Sequence, residues 1–223
     1  MITYEQFLKE GVYDPNIFKA VFMAGGPGSG KSFIAGKATG GLGLKIINSD
    51  DAFERFLTKE GLSLKMPDSE TIPRDIERAR AKKVTASKKY LAVRGRLGII
   101  IDGTGHKYDK IVGPAAMLQQ IGYETSMVFV NTSLEVALHR NENRPRSVKP
   151  ALVKKSWKDV QANMGKFQNY FGASNFFIVD NNGFEEDMLD ISTKHIRKAI
   201  SSPVNNVIAK AWIANEMKKK RRT

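Results

Sequence analysis

The chain has 223 residues, of which 41% are hydrophobic, and this suffices for one globular core but leaves little room for a second. No apolar run approaches the roughly 18 residues that span a membrane, and Met1–Glu5 lack the basic and apolar segments of a signal peptide. The chain contains no cysteine, which excludes disulfide bonds and thiolate metal sites. We therefore expect a cytoplasmic protein without membrane contact.

The formal net charge of +13 is large for a chain of this length. Basic surface attracts phosphate backbones over distance, so this charge favours a nucleic acid as partner. Part of the excess lies in the terminal run Lys218–Arg222. A solvated tail that only improves solubility is the alternative explanation for that run.

Strands and helices are predicted to alternate along the chain. Short apolar runs indicate buried strands, and segments with helical periodicity follow them, which is typical of an α/β fold. We expect one domain over residues 1–223, with its core at about 18–180 and additions at 3–10 and 184–222. In chain order the predicted elements are a helix at 3–10, a strand at 20–24, a helix to about 39, a strand at 44–47, a helix at 52–57, a helix at 74–96, a strand within 98–104, a helix at 109–121, a strand at 124–130, a helix after Ser133, a helix from Pro150, a strand at 176–179, a helix at 184–200 and a last helix opened by Ser202-Pro203.

The stretch Gly25–Ser32, with the sequence GGPGSGKS, joins the first predicted strand to the following helix. Its glycines allow a backbone nest whose amides point at phosphate oxygens, and the helix adds the positive end of its dipole. This motif predicts a P-loop NTPase fold, with a five-stranded mostly parallel sheet and helices on both faces, that binds ATP and Mg²⁺. Lys31 is expected to reach the β- and γ-phosphates, and Ser32 to hold the magnesium ion. The predicted nucleotide-binding residues are Gly26, Pro27, Gly28, Ser29, Gly30, Lys31 and Ser32.

Acidic residues follow two further predicted strands. The sequence Asn48-Ser49-Asp50-Asp51 comes after the second strand, and Asp102 ends the third. The carboxyl ends of parallel strands open on the phosphate side of a sheet, so these acids are expected beside the reacting end of the nucleotide. Asn48, Ser49 or an aspartate could cap the next helix, and one of the two neighbouring carboxylates is the expected cap. A strand-end acid such as Asp102 is predicted to lie near the metal ion.

The predicted helix from Arg74 to Arg96 is strongly basic, with nine lysines or arginines against two acids. The spacing of Ala86, Tyr90, Val93 and Leu97 predicts that these residues form its packing face. The remaining charge either is solvated or forms one wall of a substrate groove.

Three arginines cluster in the segment His139–Arg146, where Pro145 is expected to end a helix. Arginine forks suit phosphoryl oxygens, and a mobile segment that carries them can close over ATP and exclude water. A charged helix end that complements the helix dipole is the other explanation.

Four motifs in this order, GGPGSGKS, NSDD, IIIDGT and RNENRPR, resemble those of the kinase domain of phage-type polynucleotide kinases and of the related zeta-toxin-like kinases. The resemblance covers roughly residues 18–180. In the phage-type kinases an arginine that reads a substrate phosphate follows the catalytic aspartate by three residues. Here Phe53 stands at that position and the nearest arginine is Arg55, which leaves the acceptor open.

The resemblance implies a role for each matching residue. Asp50 would be the base that faces the acceptor hydroxyl, with Asp51 as the alternative carboxylate. Arg144, rather than Arg140, would contact the phosphoryl group in flight. The implied catalytic residues are Lys31, Asp50, Asp102, Arg140 and Arg144, and the implied metal-binding residues are Ser32 and Asp102.

These inferences together predict an ATP-dependent kinase whose acceptor is a hydroxyl group, with the 5′-hydroxyl of a polynucleotide as the first choice. A hydroxymethylated base in DNA and a nucleotide sugar or other small metabolite are the alternative acceptors. A non-kinase ATPase switch would use the same loop but would position a water molecule. A requirement for an added acceptor separates the kinase from the switch.

Overall fold

The computed structural model describes residues 11–38, 40–183 and 185–220. Within these ranges five strands form one sheet in the order β2-β3-β1-β4-β5, and every pairing is parallel. The predicted α/β fold is confirmed, and the sheet is entirely rather than mostly parallel. The helix predicted over residues 3–10 lies outside the described residues. The strands are β1 (Lys19–Ala24), β2 (Lys45–Ile47), β3 (Ile99–Asp102), β4 (Glu124–Asn131) and β5 (Phe176–Asp180).

Eight α-helices connect and flank these strands in the described ranges, and two of them begin three or more residues away from the predicted start. The last helix begins at Val207, because the side-chain oxygen of Asn206 accepts hydrogen bonds from the backbone amides of Ile208 and Ala209. The long basic helix begins at Thr71 and includes a proline in its first turn, where a missing amide costs no hydrogen bond. The helices are α1 (Lys31–Ala38), α2 (Asp50–Lys59), α3 (Thr71–Arg94), α4 (Asp109–Gln120), α5 (Leu134–Asn143), α6 (Pro150–Phe171), α7 (Glu185–Ile200) and α8 (Val207–Lys220).

The central strand β1 is buried on both faces of the sheet. Phe22 belongs to a core cluster that includes side chains of α4, α6 and α8. Met23 belongs to a second cluster, which includes side chains of α1 and α7. Strand side chains alternate between the faces, so one apolar run serves both clusters. Helices therefore cover both faces, as predicted.

Only part of the packing face predicted for α3 is buried: Val93 packs against the core, and Leu97, just beyond the helix, is fully buried. Tyr90 is 63% exposed and Ala86 is also exposed, whereas Glu77, Ala81 and Ala92 are buried. Ala81 packs in a cluster with side chains of α2, and Ala92 belongs to the core cluster that contains Phe22. Both side chains are small, so they can be buried where α3 packs closely on its neighbours.

The strand order places β1 between β3 and β4, with the carboxyl ends of all three on one side. The amide of Gly25 donates to the carbonyl of Thr104 at 3.0 Å, and the amide of Gly103 donates to the carbonyl of Met23 at 3.1 Å. The loops after β1 and β3 are thus tied together, and the crevice at this edge is where ligands bind in open parallel sheets. None of the described helices has both the length and the apolar character to cross a bilayer.

Candidate active site

The phosphate loop follows β1 and depends on glycine at two positions. Gly28 and Gly30 have φ angles of +79° and +86°, a region that side chains rarely adopt. A β-carbon at Gly28 would lie 2.2 Å from the carbonyl oxygen of Ala137 on α5. The motif is therefore required both for the shape of the loop and for its close packing against α5.

Lys31 begins helix α1 and is buried against the loop. Its ammonium group lies 3.3 Å from the carbonyl oxygen of Gly26 and 3.5 Å from the hydroxyl of Ser29. Burial lowers the pKa of Lys31, and the carboxylates of Asp102 and Asp50 oppose this effect without cancelling it. The side chain is thus held inside the loop and near both acids. In this position its ammonium group can donate hydrogen bonds to the phosphate oxygens of a bound nucleotide.

Ser32, Asn48 and Asp102 meet at the ends of α1, β2 and β3. The Ser32 hydroxyl lies 3.3 Å from Asp102 Oδ2, and Asn48 Nδ2 donates to the same oxygen at 3.1 Å. Burial raises the pKa of Asp102, against the effect of the Lys31 charge. The oxygens of Ser32 and Asp102 are the kind of ligand that Mg²⁺ prefers, and Mg²⁺ usually takes only one or two carboxylates from the protein. The donor set therefore fits the ion.

Asp50 lies in the first turn of α2, held between two arginines. Arg78 Nη1 lies 2.7 Å from Asp50 Oδ1, and Arg146 Nη2 lies 2.9 Å from Asp50 Oδ2. Arg146 also donates from Nε to Glu54 at 2.6 Å. Burial raises the pKa of Asp50, but the charges and hydrogen bonds of Arg146 and Arg78 outweigh it, and the pKa lies below its ordinary value. The carboxylate is therefore kept ionised.

The neighbouring Asp51 is exposed and does not line the cavity that Asp50 faces. The expectation that one of the two carboxylates caps α2 is wrong. Ser49 is the residue before the helix and its side chain makes no capping bond, whereas Asn48 Oδ1 accepts a hydrogen bond from the amide of Asp50 at 2.8 Å. The amide side chain thus takes the capping role and leaves both carboxylates available for other contacts.

The arginine segment extends from α5 into the loop that follows it. Arg140 donates to the carbonyl of Asn181 at 2.9 Å, and the Asn181 side chain donates to the carbonyl of Ser29 in the phosphate loop at 2.7 Å. Arg144 follows the end of α5, and its Nε is buried without a hydrogen-bond partner among the described residues. Burial and the nearby charge of Arg146 lower the pKa of Arg144. Arg140 thus supports the phosphate loop through Asn181, whereas the guanidinium of Arg144 is incompletely hydrogen-bonded.

A cavity of about 500 Å³ brings these side chains together. It is lined by the phosphate loop and by all the other predicted site residues, Asp50, Asp102, Arg140 and Arg144. The lining residues that were absent from the predicted set include Asn48, Arg78 and Arg146. Asn48 and Arg146 lie within the recognised motifs, so proximity in sequence could have suggested them. Arg78 lies on the basic helix that was considered as a groove wall, but no local signal gave it a role in the catalytic site among the nine basic residues of that segment.

A family model described as an AAA domain matches residues 21–167, and the chain belongs to this family. The match contains the phosphate loop, both strand-end acids and the arginine segment. The family and the all-parallel sheet together define a kinase-like P-loop fold, which implies nucleotide binding.

Solved structures share this fold at low sequence identity. A gluconokinase from Sinorhizobium meliloti 1021 aligns with a TM-score of 0.51 and 15% identity, covering 83% of this chain and 95% of that one. A protein from Chloroflexus aurantiacus j-10-fl aligns with a TM-score of 0.56 and 16% identity over 81% of this chain and 97% of the other. A chain of the Pnkp1/Rnl/Hen1 RNA repair complex aligns at 0.51 and 20% identity over 67% of this chain and 46% of its own. No curated protein matches the chain significantly in sequence.

Proposed function

We propose that the protein is an ATP-dependent kinase that transfers the γ-phosphoryl group of ATP to an alcohol hydroxyl. The observation that carries this proposal is the position of Asp50. Its ionised carboxylate faces the same cavity as Lys31 of the phosphate loop and the half-buried side chain of Arg144. A switch ATPase needs only to position water, whereas a carboxylate beside the loop can accept the proton of a second substrate.

Each side chain has a role that phosphoryl transfer requires. Transfer depends mostly on alignment of the reacting groups and on stabilisation of charge on the transferred group. Lys31 binds phosphate oxygens from inside the loop, and Arg144 contributes a second cation from the segment beyond α5. Arg140 keeps the loop in place through the carbonyl of Asn181. Asp50 orients the acceptor hydroxyl and takes its proton once one of its arginines has moved.

Magnesium would be held by Ser32 and Asp102, with water and phosphate oxygens completing its shell. The ion supplies positive charge that draws the phosphates into alignment. Asn48 donates a hydrogen bond to Asp102 and so fixes the direction in which this carboxylate faces.

The 5′-hydroxyl of a polynucleotide is the acceptor that we favour. The net charge of +13 and the basic α3 beside the cavity support a polyanionic substrate. A hydroxymethylated base in DNA and a nucleotide sugar or small metabolite are the alternatives, because Phe53 stands where the resembling kinases carry a phosphate-reading arginine.

The test is a screen of labelled ATP against 5′-hydroxyl oligonucleotides, DNA with hydroxymethylated bases, nucleosides and nucleotide sugars. We expect label to appear on an oligonucleotide and ATP consumption to require the acceptor. Hydrolysis of ATP at the same rate with and without every acceptor would contradict the kinase and support an ATPase switch.

A further inference from the structure

We infer that Arg78 binds a phosphate group that the acceptor carries next to its reacting hydroxyl. The substrate class is then a hydroxyl compound with an adjacent phosphate ester, either inside a polynucleotide or on a small metabolite. This inference rests on the proposed kinase function. It names a specificity residue that lies on α3, far in sequence from the four motifs.

The geometry around Arg78 orients its guanidinium towards the acceptor side of the site. Its Cζ lies 4.4 Å from the centroid of the Phe53 ring, and Nη1 lies 2.7 Å from Asp50 Oδ1. A planar guanidinium that stacks on an aromatic ring has a fixed plane, so its unused N–H groups keep a fixed direction. Among the described residues Asp50 is the acceptor of its hydrogen bond, and Arg78 is one of the residues that line the cavity.

The cations of the site divide by origin. Lys31 belongs to the phosphate loop, and Arg140 and Arg144 belong to the segment after β4, which packs on that loop. Arg146 of that segment also contacts Asp50, but its Nε is paired with Glu54 at 2.6 Å. Arg78 instead approaches from α3 and contacts Asp50, the group that the acceptor hydroxyl must reach. A phosphate a few bonds away from that hydroxyl would therefore come within the reach of Arg78 rather than of the cations that serve ATP.

Charge balance also favours an anionic acceptor. While Asp50 is ionised, it neutralises part of the charge of Arg78. When Asp50 takes the hydroxyl proton, it no longer neutralises the charge of Arg78, and a second anion nearby would then stabilise that charge. A phosphate accepts two parallel hydrogen bonds from an arginine fork, which a neutral hydroxyl compound cannot match.

Arg80 is a natural comparison on the same helix. Its Cζ also lies 4.4 Å from the centroid of an aromatic ring, that of Phe56. Its charge, however, pairs with Glu77 at 3.4 Å and Glu60 at 3.8 Å, and it does not line the cavity. Stacking alone is thus a structural feature of the α2–α3 contact, and the cavity and the bond to Asp50 distinguish Arg78.

The experiment compares two 5′-hydroxyl dinucleotides that differ only in their linkage, a charged phosphodiester or a neutral methylphosphonate. Binding is measured by calorimetry in the presence of Mg²⁺ and a non-hydrolysable ATP analogue, and transfer is measured with ATP. A second pair, a hexose phosphate and its parent hexose, tests small acceptors. The proteins are the wild type, Arg78→Gln, Arg78→Lys and Arg80→Gln, each checked by thermal unfolding.

We expect the wild type to prefer the charged member of one pair by about tenfold or more, as hydrogen bonds to charged groups predict. Arg78→Gln should reduce this ratio to about one, and Arg78→Lys should give an intermediate ratio, while Arg80→Gln should keep the wild-type ratio. The pair that responds identifies the source of the phosphate. A simple loss of Asp50 orientation would weaken both members equally and leave the ratio unchanged.

The inference is overturned if the wild type shows no preference in either pair, or if Arg78→Gln keeps the preference. Failure of the proposed function has a different signature, because it appears as absence of labelled product with every acceptor. The binding ratio remains measurable in that case, so the two failures are distinguishable.

Discussion

The guanidinium of Arg146 lies 2.9 Å from the carboxylate of Asp50, and Arg78 occupies the other carboxylate oxygen. Both oxygens of the proposed base are therefore engaged before substrates bind. Arg146 follows Arg144 in the same segment, and the phosphates of a bound nucleotide would attract both. Movement of Arg146 towards the phosphates would free one oxygen of Asp50 for the acceptor hydroxyl.

Substitution of Lys31 by alanine should abolish phosphoryl transfer. The ammonium group is the buried cation inside the phosphate loop, and its removal takes away charge stabilisation close to the transferred group. The measurement is the rate of ATP turnover with a saturating acceptor. Turnover close to that of the wild type would refute the assignment of the phosphate loop.

Substitution of Asp50 by asparagine should preserve nucleotide binding but reduce transfer by roughly 10² to 10⁴, the range for general-base catalysis. The matched control is Asp51→Asn, which removes one carboxylate from the same helical turn but outside the cavity lining. Single-turnover rates and nucleotide affinity are measured for both. If Asp51→Asn is the inactive variant, the base has been assigned to the wrong residue.

The stability that Asp50 contributes should depend on pH in the acid range. Arg146 and Arg78 outweigh the effect of burial and hold the pKa of Asp50 below its ordinary value of 3.8. A depressed folded-state pKa stabilises the protein above the unfolded-state pKa, and this contribution is lost as pH falls through the folded-state value. The difference in free energy of unfolding between the wild type and Asp50→Asn should therefore be constant near neutral pH. It should shrink below about pH 4 in urea titrations, and a difference that instead grows towards acid pH would contradict the arginine clamp.

The exposed surface of α3 gives a separate test of the polynucleotide proposal. A charge reversal at Arg78 would break its pair with Asp50, so the suitable position is Lys82, one turn further along the same side of the helix. If this side follows a polynucleotide, Lys82→Ala should reduce the slope of log affinity against log salt by about one. The measurement is oligonucleotide binding at several salt concentrations.

Lys83→Ala is the matched control, since Lys83 is also exposed but points about 100° away around the helix. The Michaelis constant for ATP should stay unchanged in both variants. Unchanged salt slopes in both would remove this side of α3 from the substrate path and favour a small acceptor.

Local sequence was sufficient for the phosphate loop and for the strand-end acids. The loop is made by consecutive residues, and its glycines have a conformational requirement that can be recognised without knowledge of the rest of the chain. Asp102 could be placed because the carboxyl ends of parallel strands share one edge of the sheet. The choice of Asp50 over Asp51 rested on the resemblance alone, since which carboxylate faces the cavity depends on the direction in which α2 leaves β2.

The packing of α3 shows where hydrophobic periodicity predicted only part of the buried face. Ala86 and Tyr90 of the predicted stripe are exposed, whereas Val93 packs against the core and Leu97 is buried. Ala81 and Ala92, which are also buried, carry small side chains. Hydrophobic periodicity weights large side chains, whereas small side chains such as those of Ala81 and Ala92 are also buried where elements pack closely.

The sequence by itself determined the α/β fold, the phosphate loop and the two strand ends that supply acids, because each depends on short stretches with strong local preferences. Tertiary structure alone decided that Arg78, 28 residues beyond Asp50 in the chain, would contact its carboxylate and stack on Phe53. The physical reason is that a contact between distant elements depends on how their helices pack. The local sequence around Arg78 does not distinguish it from the other eight basic residues of its segment.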